Sequence, residues 1–436
     1  MSLHLQNGSF EIFEGDSLVI LKAMTDNSVD SIVTDPPYGI SFMGNAWDYQ
    51  VPSAELWAEC LRVLKPGGHL LAFAGTRTQH RMAVNIEDAG FEIRDMLAWL
   101  YGSGFPKSHN ISKAIDKKLG AERKVVGSKE AGCFGGTDDG HYTIGGKTSS
   151  VDVTVAGSDE AQAWEGWGTA LKPAIEPITM ARKPFKGTVA DNVLAHGVGG
   201  LNIDASRVGD FVPTQPSALT YGRHYEAREE VAIPTPTKPG RYPANVLHDG
   251  SQAVVDEFPS SKASKGMTYG RGFQTAYVNG EDPGRRIASE GYADEGSAAR
   301  FFYVPKASKK DRDEGLDGPE RDAGCMSGNT NPETLRVEKV PQRKNIHPTV
   351  KPTALMSYLC KLVTPPGGLV LDPFNGSGST GKGAVGEGFR YIGIELNPEF
   401  CEISRARIGA VLSRLEAEQL TSEQPGATVK SSTDQP

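Results

Sequence analysis

Val29-Asp30-Ser31-Ile32-Val33-Thr34-Asp35-Pro36-Pro37-Tyr38 is the stretch on which the fold turns. A β-rich run that stops at an acid, two prolines and an aromatic reads as a buried strand ending in a rigid turn. Proline cannot donate to a strand ladder, so the strand must end there. The turn displays the Asp35 carboxylate, the Pro36 carbonyl stiffened by Pro37, and the Tyr38 ring at one sheet edge. Such a set suits a planar ring that bears an amino group.

Around this stretch the pattern alternates strand and helix. Phe10–Glu14 reads as a strand, Leu18–Ala23 as a helix and Ser31–Thr34 as a strand. Ser53–Leu64 follows as an amphipathic helix ended by Lys65-Pro66-Gly67-Gly68. His69–Ala74 and Phe91–Tyr101 read as further strands, with a helix over Thr78–Ala89 between them. Short turns between such units predict a parallel sheet with helices on both faces. From Gly102 the alternation breaks into a basic, glycine-rich insert and resumes with a strand at Pro177–Pro184. Residues 190–340 lack strong periodicity and read as a separate loop-rich unit.

A second decisive stretch lies near the other end. Leu369-Val370-Leu371 closes on Asp372-Pro373-Phe374, and Gly376-Ser377-Gly378-Ser379-Thr380-Gly381 follows as G-x-G-x-x-G. Glu395 ends the next strand, where an acid can bind ribose hydroxyls. Asp372, just before the loop, would repel a pyrophosphate and attract an ammonium or sulfonium, and too little chain follows to complete a dinucleotide fold. A cofactor with a ribose, no phosphate and a positive charge is S-adenosylmethionine. The strands missing from this half are Phe10–Glu14 and Ser31–Thr34, so the sheet reads as circularly permuted, cofactor half last. Asp16 then falls near the adenine ring, and it also suits a helix cap; the two roles are compatible.

Composition excludes several classes. No apolar run of about 18 residues exists in the 436, so no membrane span is expected. The first residues lack the basic-then-apolar pattern of a signal peptide. Cys60, Cys133, Cys325, Cys360 and Cys401 are scattered singly, which argues against a metal site or disulfides and for a cytoplasmic setting. The net charge of −8 argues mildly against nucleic acid, but charge acts locally. Lys107, Lys113, Lys117, Lys118, Arg123, Lys124 and Lys129 are opposed there only by Asp116, Glu122 and Glu130.

These phrases, taken together, carry a resemblance. DPPY at 35–38, LKPGG at 64–68, NIHPTVKP at 345–352, LVLDPFNGSGSTG at 369–381 and IGIE at 392–395 resemble the amino-methylating (N6-adenine/N4-cytosine) DNA methyltransferases. The order, catalytic motif first, is similar to their β group. GSGFPKSHNISKAID, WEGWGTALKPAIEPITMARKP and GRYPANVLHDGS are similar to the long-insert members of phages and prophages. The resemblance implies a Rossmann-like methyltransferase sheet, α/β and permuted, with a loop-rich recognition insert. It divides the chain into a catalytic half (1–101), a basic insert (102–174), a returning strand (175–189), a target-recognition region (190–340), a cofactor half (341–415) and a disordered tail (416–436).

The implied reaction moves a methyl group from S-adenosylmethionine to N6 of a flipped adenine in double-stranded DNA. Asp35 and Pro36 would accept the amine's two hydrogens while Tyr38 stacks on the ring. Asp at the first motif position favours adenine; an N4-cytosine enzyme and a decayed DNA-binding relative are the alternatives. The same resemblance places His347, Thr349 and Lys351 beside the methionine part of the cofactor, with Asp372, Pro373, Phe374, Gly376, Ser377, Gly378, Glu395 and Asp16 completing its site. The Lys107–Lys129 cluster is the candidate for phosphate contacts, with a solvated helix face as the other reading. Arg223, Arg241, Arg271, Arg285 and Arg286 are candidate groove readers. Phe301–Tyr303 reads as a second pocket wall or a core strand, and Trp164 and Trp167 as stacking on DNA or packing within the insert. A cognate restriction endonuclease and a monomeric or homodimeric state both fit a restriction-modification setting in a bacterial cytoplasm, phage-encoded or not.

Overall fold

The computed structural model describes residues 9–40, 48–102, 104, 108–131, 149–209, 239–261, 295–304, 309–317, 321–322 and 342–422. In the first part of the chain lie β1 (Phe10–Glu14), α1 (Ser17–Ala23), β2 (Val29–Thr34), α2 (Ala54–Val63), β3 (Leu64–Phe73), α3 (Gln79–Asp88) and β4 (Glu92–Leu100). After the insert come β5 (Ile175–Arg182) and β6 (Val246–His248). The last part supplies α4 (Thr353–Val363), β7 (Leu369–Asp372), α5 (Ser379–Gly386), β8 (Arg390–Glu395) and α6 (Pro398–Ser422).

These strands form one sheet in the order β1-β8-β7-β2-β3-β5-β4-β6. All neighbours are parallel except β5, which runs antiparallel between β3 and β4. The permutation is therefore real: β7 and β2, from opposite ends of the chain, are adjacent, with Val370 opposite Ser31 and Leu371 opposite Ile32. Every residue of β2 is buried, as expected of a parallel strand covered on both faces. One core gathers Leu355, Leu359 and Val363 of α4 with Ile408 and Val411 of α6. The other gathers Leu21 of α1, Trp57 and Cys60 of α2, and Met82 and Ile86 of α3.

Polar groups inside β2 tie the halves together. Asp30, 4% exposed, pairs with Lys65 at 2.5 Å and accepts the Leu369 N–H at 2.7 Å. Ser31 and Thr364 share a hydroxyl hydrogen bond at 2.7 Å, and the Thr34 hydroxyl donates to Asp372 at 2.6 Å. Satisfied buried polar groups of this kind fix one register, because a slip would leave each of them unpaired.

Several expectations change. Lys65–Gly68 does not end α2 in a loop; it is the first part of β3, bulged so that Val29 faces Leu64 and Ser31 faces His69. Gly67 takes φ +80°, which the bulge needs and a side chain resists. The region 190–340 is not wholly separate, because Val246–His248 forms the outer strand of the main sheet beside β4. The insert has elements of its own: a helix Ile111–Leu119 packs with a short helix, Asp159–Ala163, and Val125–Ala131 pairs with Ser149–Thr154 as a ribbon. Helix α6 continues to Ser422, into the expected tail, whose remainder lies outside the described residues. No described helix is long and apolar enough to cross a membrane.

Residues 309–317 act as a clasp on the cofactor half. Lys382 of α5, 1% exposed, ion-pairs with Asp311 at 2.6 Å and Glu314 at 2.9 Å. Asp311 also accepts from the hydroxyl and N–H of Thr353 at the start of α4. Removing one partner of a buried pair leaves uncompensated charge. Lys382→Ala is therefore expected to cost about 3 kcal/mol, read as a fall of several degrees in the thermal unfolding midpoint.

Candidate active site

The catalytic turn is built by its neighbours. β2 ends at Thr34, and the Asp48 carboxylate, 1% exposed, accepts the N–H groups of Tyr38 at 2.6 Å, Gly39 at 2.9 Å and Ile40 at 3.3 Å. The Thr78 hydroxyl donates to the Tyr38 carbonyl at 2.6 Å. Pro36 and Pro37 have no N–H to place, so these anchors fix the turn wherever a donor exists. Pro36 is buried, while Asp35 and Tyr38 are half-buried and look into the cleft beyond the strand ends.

Asp35 is heavily engaged. Its Oδ1 accepts the Tyr38 hydroxyl at 2.7 Å and its Oδ2 the Lys351 ammonium at 2.6 Å. Glu176, at the start of β5, accepts from Tyr38 at 3.0 Å and faces Lys351 at 3.2 Å. Burial, Asp35 and Glu176 hold the Tyr38 phenol well above its ordinary range, so it stays a donor. Burial pulls the Lys351 ammonium down, but Asp35 and Glu176 together raise it above its ordinary value. Its Nζ also lies 5.0 Å from the centre of the Phe73 ring. Tyr101, next along, is pushed up to about 12 by burial and Glu176.

The glycine loop stands on the adjacent strand. Asp372, 1% exposed, accepts from the Thr34 and Thr380 hydroxyls, each at 2.6 Å, and from the Phe374 N–H at 3.0 Å. Burial pushes it up to about 6, against these three donors, and both its oxygens are committed to the protein. Ser377 is likewise internal, bonded by Asn345 and by Arg407 of α6. Pro373 accepts from the Ser17 hydroxyl at 2.5 Å, and the Phe374 ring meets Trp57 edge-on.

The open rim belongs to Glu395 and Asp16. Glu395 accepts the Gly376 N–H on one oxygen and the Asn397 N–H on the other, both at 2.8 Å, and burial raises it above its ordinary range. A carboxylate has about four lone-pair sites, so these bonds leave Glu395 able to accept from a hydroxyl donor. Asp16 caps α1 through the Val19 N–H at 3.1 Å, and one of its oxygens is not used by that cap. Gly376 has φ +52°, and a Cβ there would stand 2.9 Å from His347 Nε2. His347 is held neutral, down to about 3, by burial and by Arg312, Lys351 and Arg407. It accepts the N–H of exposed Thr349 at 3.3 Å.

The structure thus gathers Asp35, Tyr38, Lys351, Asp372, His347, Gly376, Gly378 and Glu395 at the carboxyl ends of β2, β7 and β8. Lys351, expected beside the methionine part of the cofactor, pairs with Asp35 of the catalytic turn. One placement departs from expectation. Asp372 is sealed under the loop, so it braces strands instead of meeting a cationic cofactor directly. Sequence reasoning missed Glu176, Asp48 and Thr78. Glu176 could have been found as an acid beginning an otherwise apolar strand; Asp48 gave no signal, lying past residues 41–47 and far from any motif.

Elsewhere, Arg123 is internal, paired with Asp116 at 2.5 Å and bonded to Ser112 and Thr154, so it leaves the expected phosphate-contact set. Lys117, Lys118 and Lys124 are exposed; Lys107 and the Lys129 side chain lie outside the described residues. Arg223, Arg271, Arg285 and Arg286 also lie outside them, while Arg241 covers the Phe301 ring at 4.9 Å. Of Phe301–Tyr303, Phe301 ends a 3-10 turn (Ala298–Phe301), while Tyr303 bridges Leu247 of β6 in parallel and stacks on Tyr358 at 4.0 Å. Trp164 and Trp167 meet edge-on at 4.9 Å, and both are exposed.

Several known proteins are similar to this chain. Type II methyltransferase M.HindIII of Haemophilus influenzae is 26% identical over 235 residues, 44% of this chain and 64% of that protein. DNA adenine methyltransferase YhdJ of Escherichia coli is 43% identical over 74 residues, 17% of this chain and 25% of that protein. The matches thus span less than two thirds of these relatives' length. Among solved structures, the M1.HpyAVI–SAM complex aligns over 92% of this chain and 98% of that chain, at 15% identity and a TM-score of 0.36. PvuII DNA methyltransferase (cytosine-N4-specific) aligns over 93% and 92%, at 13% identity and a TM-score of 0.38. The family model for DNA methylases of the N6/N4 type matches residues 29–406, from the first residue of β2 into α6, and the chain belongs to that family.

Proposed function

We propose that the chain transfers a methyl group from S-adenosylmethionine to N6 of an adenine flipped out of double-stranded DNA. The observation that carries this reading is the adjacency of β2 and β7, which sets Asp35 and the Pro36 carbonyl beside the glycine loop. Membership of the N6/N4 family and the likeness to YhdJ, a DNA adenine methyltransferase, support it.

The rim suits the cofactor. Phe374, Asn375, Gly376 and Gly378 spend their N–H groups on the protein itself. Glu395 and Asp16 would repel a phosphate but can accept from ribose hydroxyls and the adenine amine. When bound, S-adenosylmethionine supplies an electrophilic methyl group, its sulfur keeping the electron pair of the broken bond. Asp35 and Pro36 accept the two N6 hydrogens, which localises the nitrogen lone pair and aims it. Tyr38 offers a face on which the extruded ring stacks, offsetting part of the unstacking cost. Lys113, Lys117, Lys118 and Lys124 are the proposed phosphate contacts. The buried, unpaired Cys60, Cys360 and Cys401 fit a reducing cytoplasm.

Expression in a host lacking adenine methylation, followed by modification-sensitive sequencing, is expected to show N6-methyladenine in one short motif. Asp35→Ala should abolish it, whereas Asp35→Asn should retain more, because the amide oxygen still accepts. No modified base in any motif would overturn the reading. Glu395→Ala is expected to weaken S-adenosylhomocysteine binding by about 10- to 100-fold in calorimetry, through loss of a charge-assisted hydrogen-bond pair. Neutralising Lys117, Lys118 and Lys124 should lower DNA affinity and flatten its dependence on salt concentration; an unchanged salt slope removes them from the interface.

A further inference from the structure

Three charged side chains from distant parts of the chain meet beyond β2: Asp35, Glu176 and Lys351, with 19%, 20% and 9% of each side chain exposed. Lys351 touches both carboxylates, and the Tyr38 hydroxyl lies within hydrogen-bond reach of both. An ammonium 2.6 Å from Asp35 holds that carboxylate in one orientation. It also cancels the carboxylate's charge. That cancellation works against the reaction, because the accepting nitrogen gains a positive charge as it takes the methyl group, the S–C bond breaking with its pair left on sulfur, and loses that charge only when one of its protons passes to water. A neutral Asp35–Lys351 pair is a poor field for such a centre, and in a half-buried cleft the field is only weakly screened.

We propose that Glu176 is a positioning residue that restores one net negative charge to this cluster, so that Lys351 can aim Asp35 without opposing the cation formed on the base. This rests on the methyl-transfer reading above and adds a residue that no motif assigns. The fold supports the role. β5 runs antiparallel, so its first residues emerge at the carboxyl ends of β3 and β4, and Ile178 faces Phe73 two residues after Glu176. Glu176 is thereby delivered to Tyr38 by a strand whose direction differs from that of every neighbour.

The test is a charge cycle. Glu176→Gln leaves Asp35 and Lys351 as a neutral pair and is expected to slow single-turnover methyl transfer about 10- to 100-fold, with KM for DNA little changed. Adding Lys351→Met returns the cluster to one net negative charge, and the double variant is expected to be at least about tenfold faster than Glu176→Gln. A double variant no faster than Glu176→Gln, with thermal midpoints showing all variants folded, overturns the proposal. A binding arm needs no turnover. Sinefungin carries an ammonium on the carbon that replaces the uncharged sulfur of S-adenosylhomocysteine, and the preference for sinefungin should fall in Glu176→Gln and return in the double variant. An unchanged preference also overturns the proposal. Wild-type protein that methylates no DNA would overturn the parent reading instead, while the sinefungin comparison still judges the charge balance.

Discussion

The hydrogen bond from Thr34 to Asp372 is the constraint on which the site depends. It joins the last residues of two adjacent strands whose sequence positions are 338 apart. Its acceptor is a sealed carboxylate that also holds Thr380 at the start of α5 and the Phe374 amide. A carboxylate buried to this degree is tolerated only because its donors are all in place. The two strands therefore cannot separate or slip without stranding a charge. The catalytic turn and the glycine loop inherit a fixed spacing from that condition.

The rest of the molecule repeats this device at larger scale. Polar groups join early and late chain segments beside the apolar contacts. Asp30 takes both Lys65 and Leu369, and Arg405 of α6 donates to the Ile12 carbonyl of β1. The segment 309–317, which follows the long irregular region, grips α4, α5 and α6 through Asp311 and its neighbours. Apolar layers supply the drive to collapse, while these directional contacts select one register among several that would bury equal area.

Much of this was legible in the sequence. A strand broken by two prolines, a glycine loop behind an acid and a second acid one strand later defined the parallel frame, its permutation and most of the cleft. Short motifs reveal such features because each imposes a local backbone need. Asp372 was named from the sequence but given a different partner, since a motif states which residues are near a site and not which way they point. Glu176 and Asp48 were missed for another reason. Their roles come from a strand running against its neighbours and from a loop folding back, and neither leaves a periodic or spacing signal. Lys65–Gly68 misled because glycine and proline mark a bulge and a loop with the same letters.

The antiparallel course of β5 has an evolutionary consequence. Because β5 returns beside β4, the chain leaves the sheet at Tyr101 and re-enters at Ala174, and these two residues share one backbone hydrogen bond of 3.0 Å. Everything between them hangs from a closed neck. A segment attached in this way can be lengthened, shortened or exchanged with only a slowly rising loop-closure entropy and no change in the register of the sheet. Selection can thus trade one excursion for another on an unchanged chemical core, and a chain of this design can diversify what it meets without relearning how it reacts.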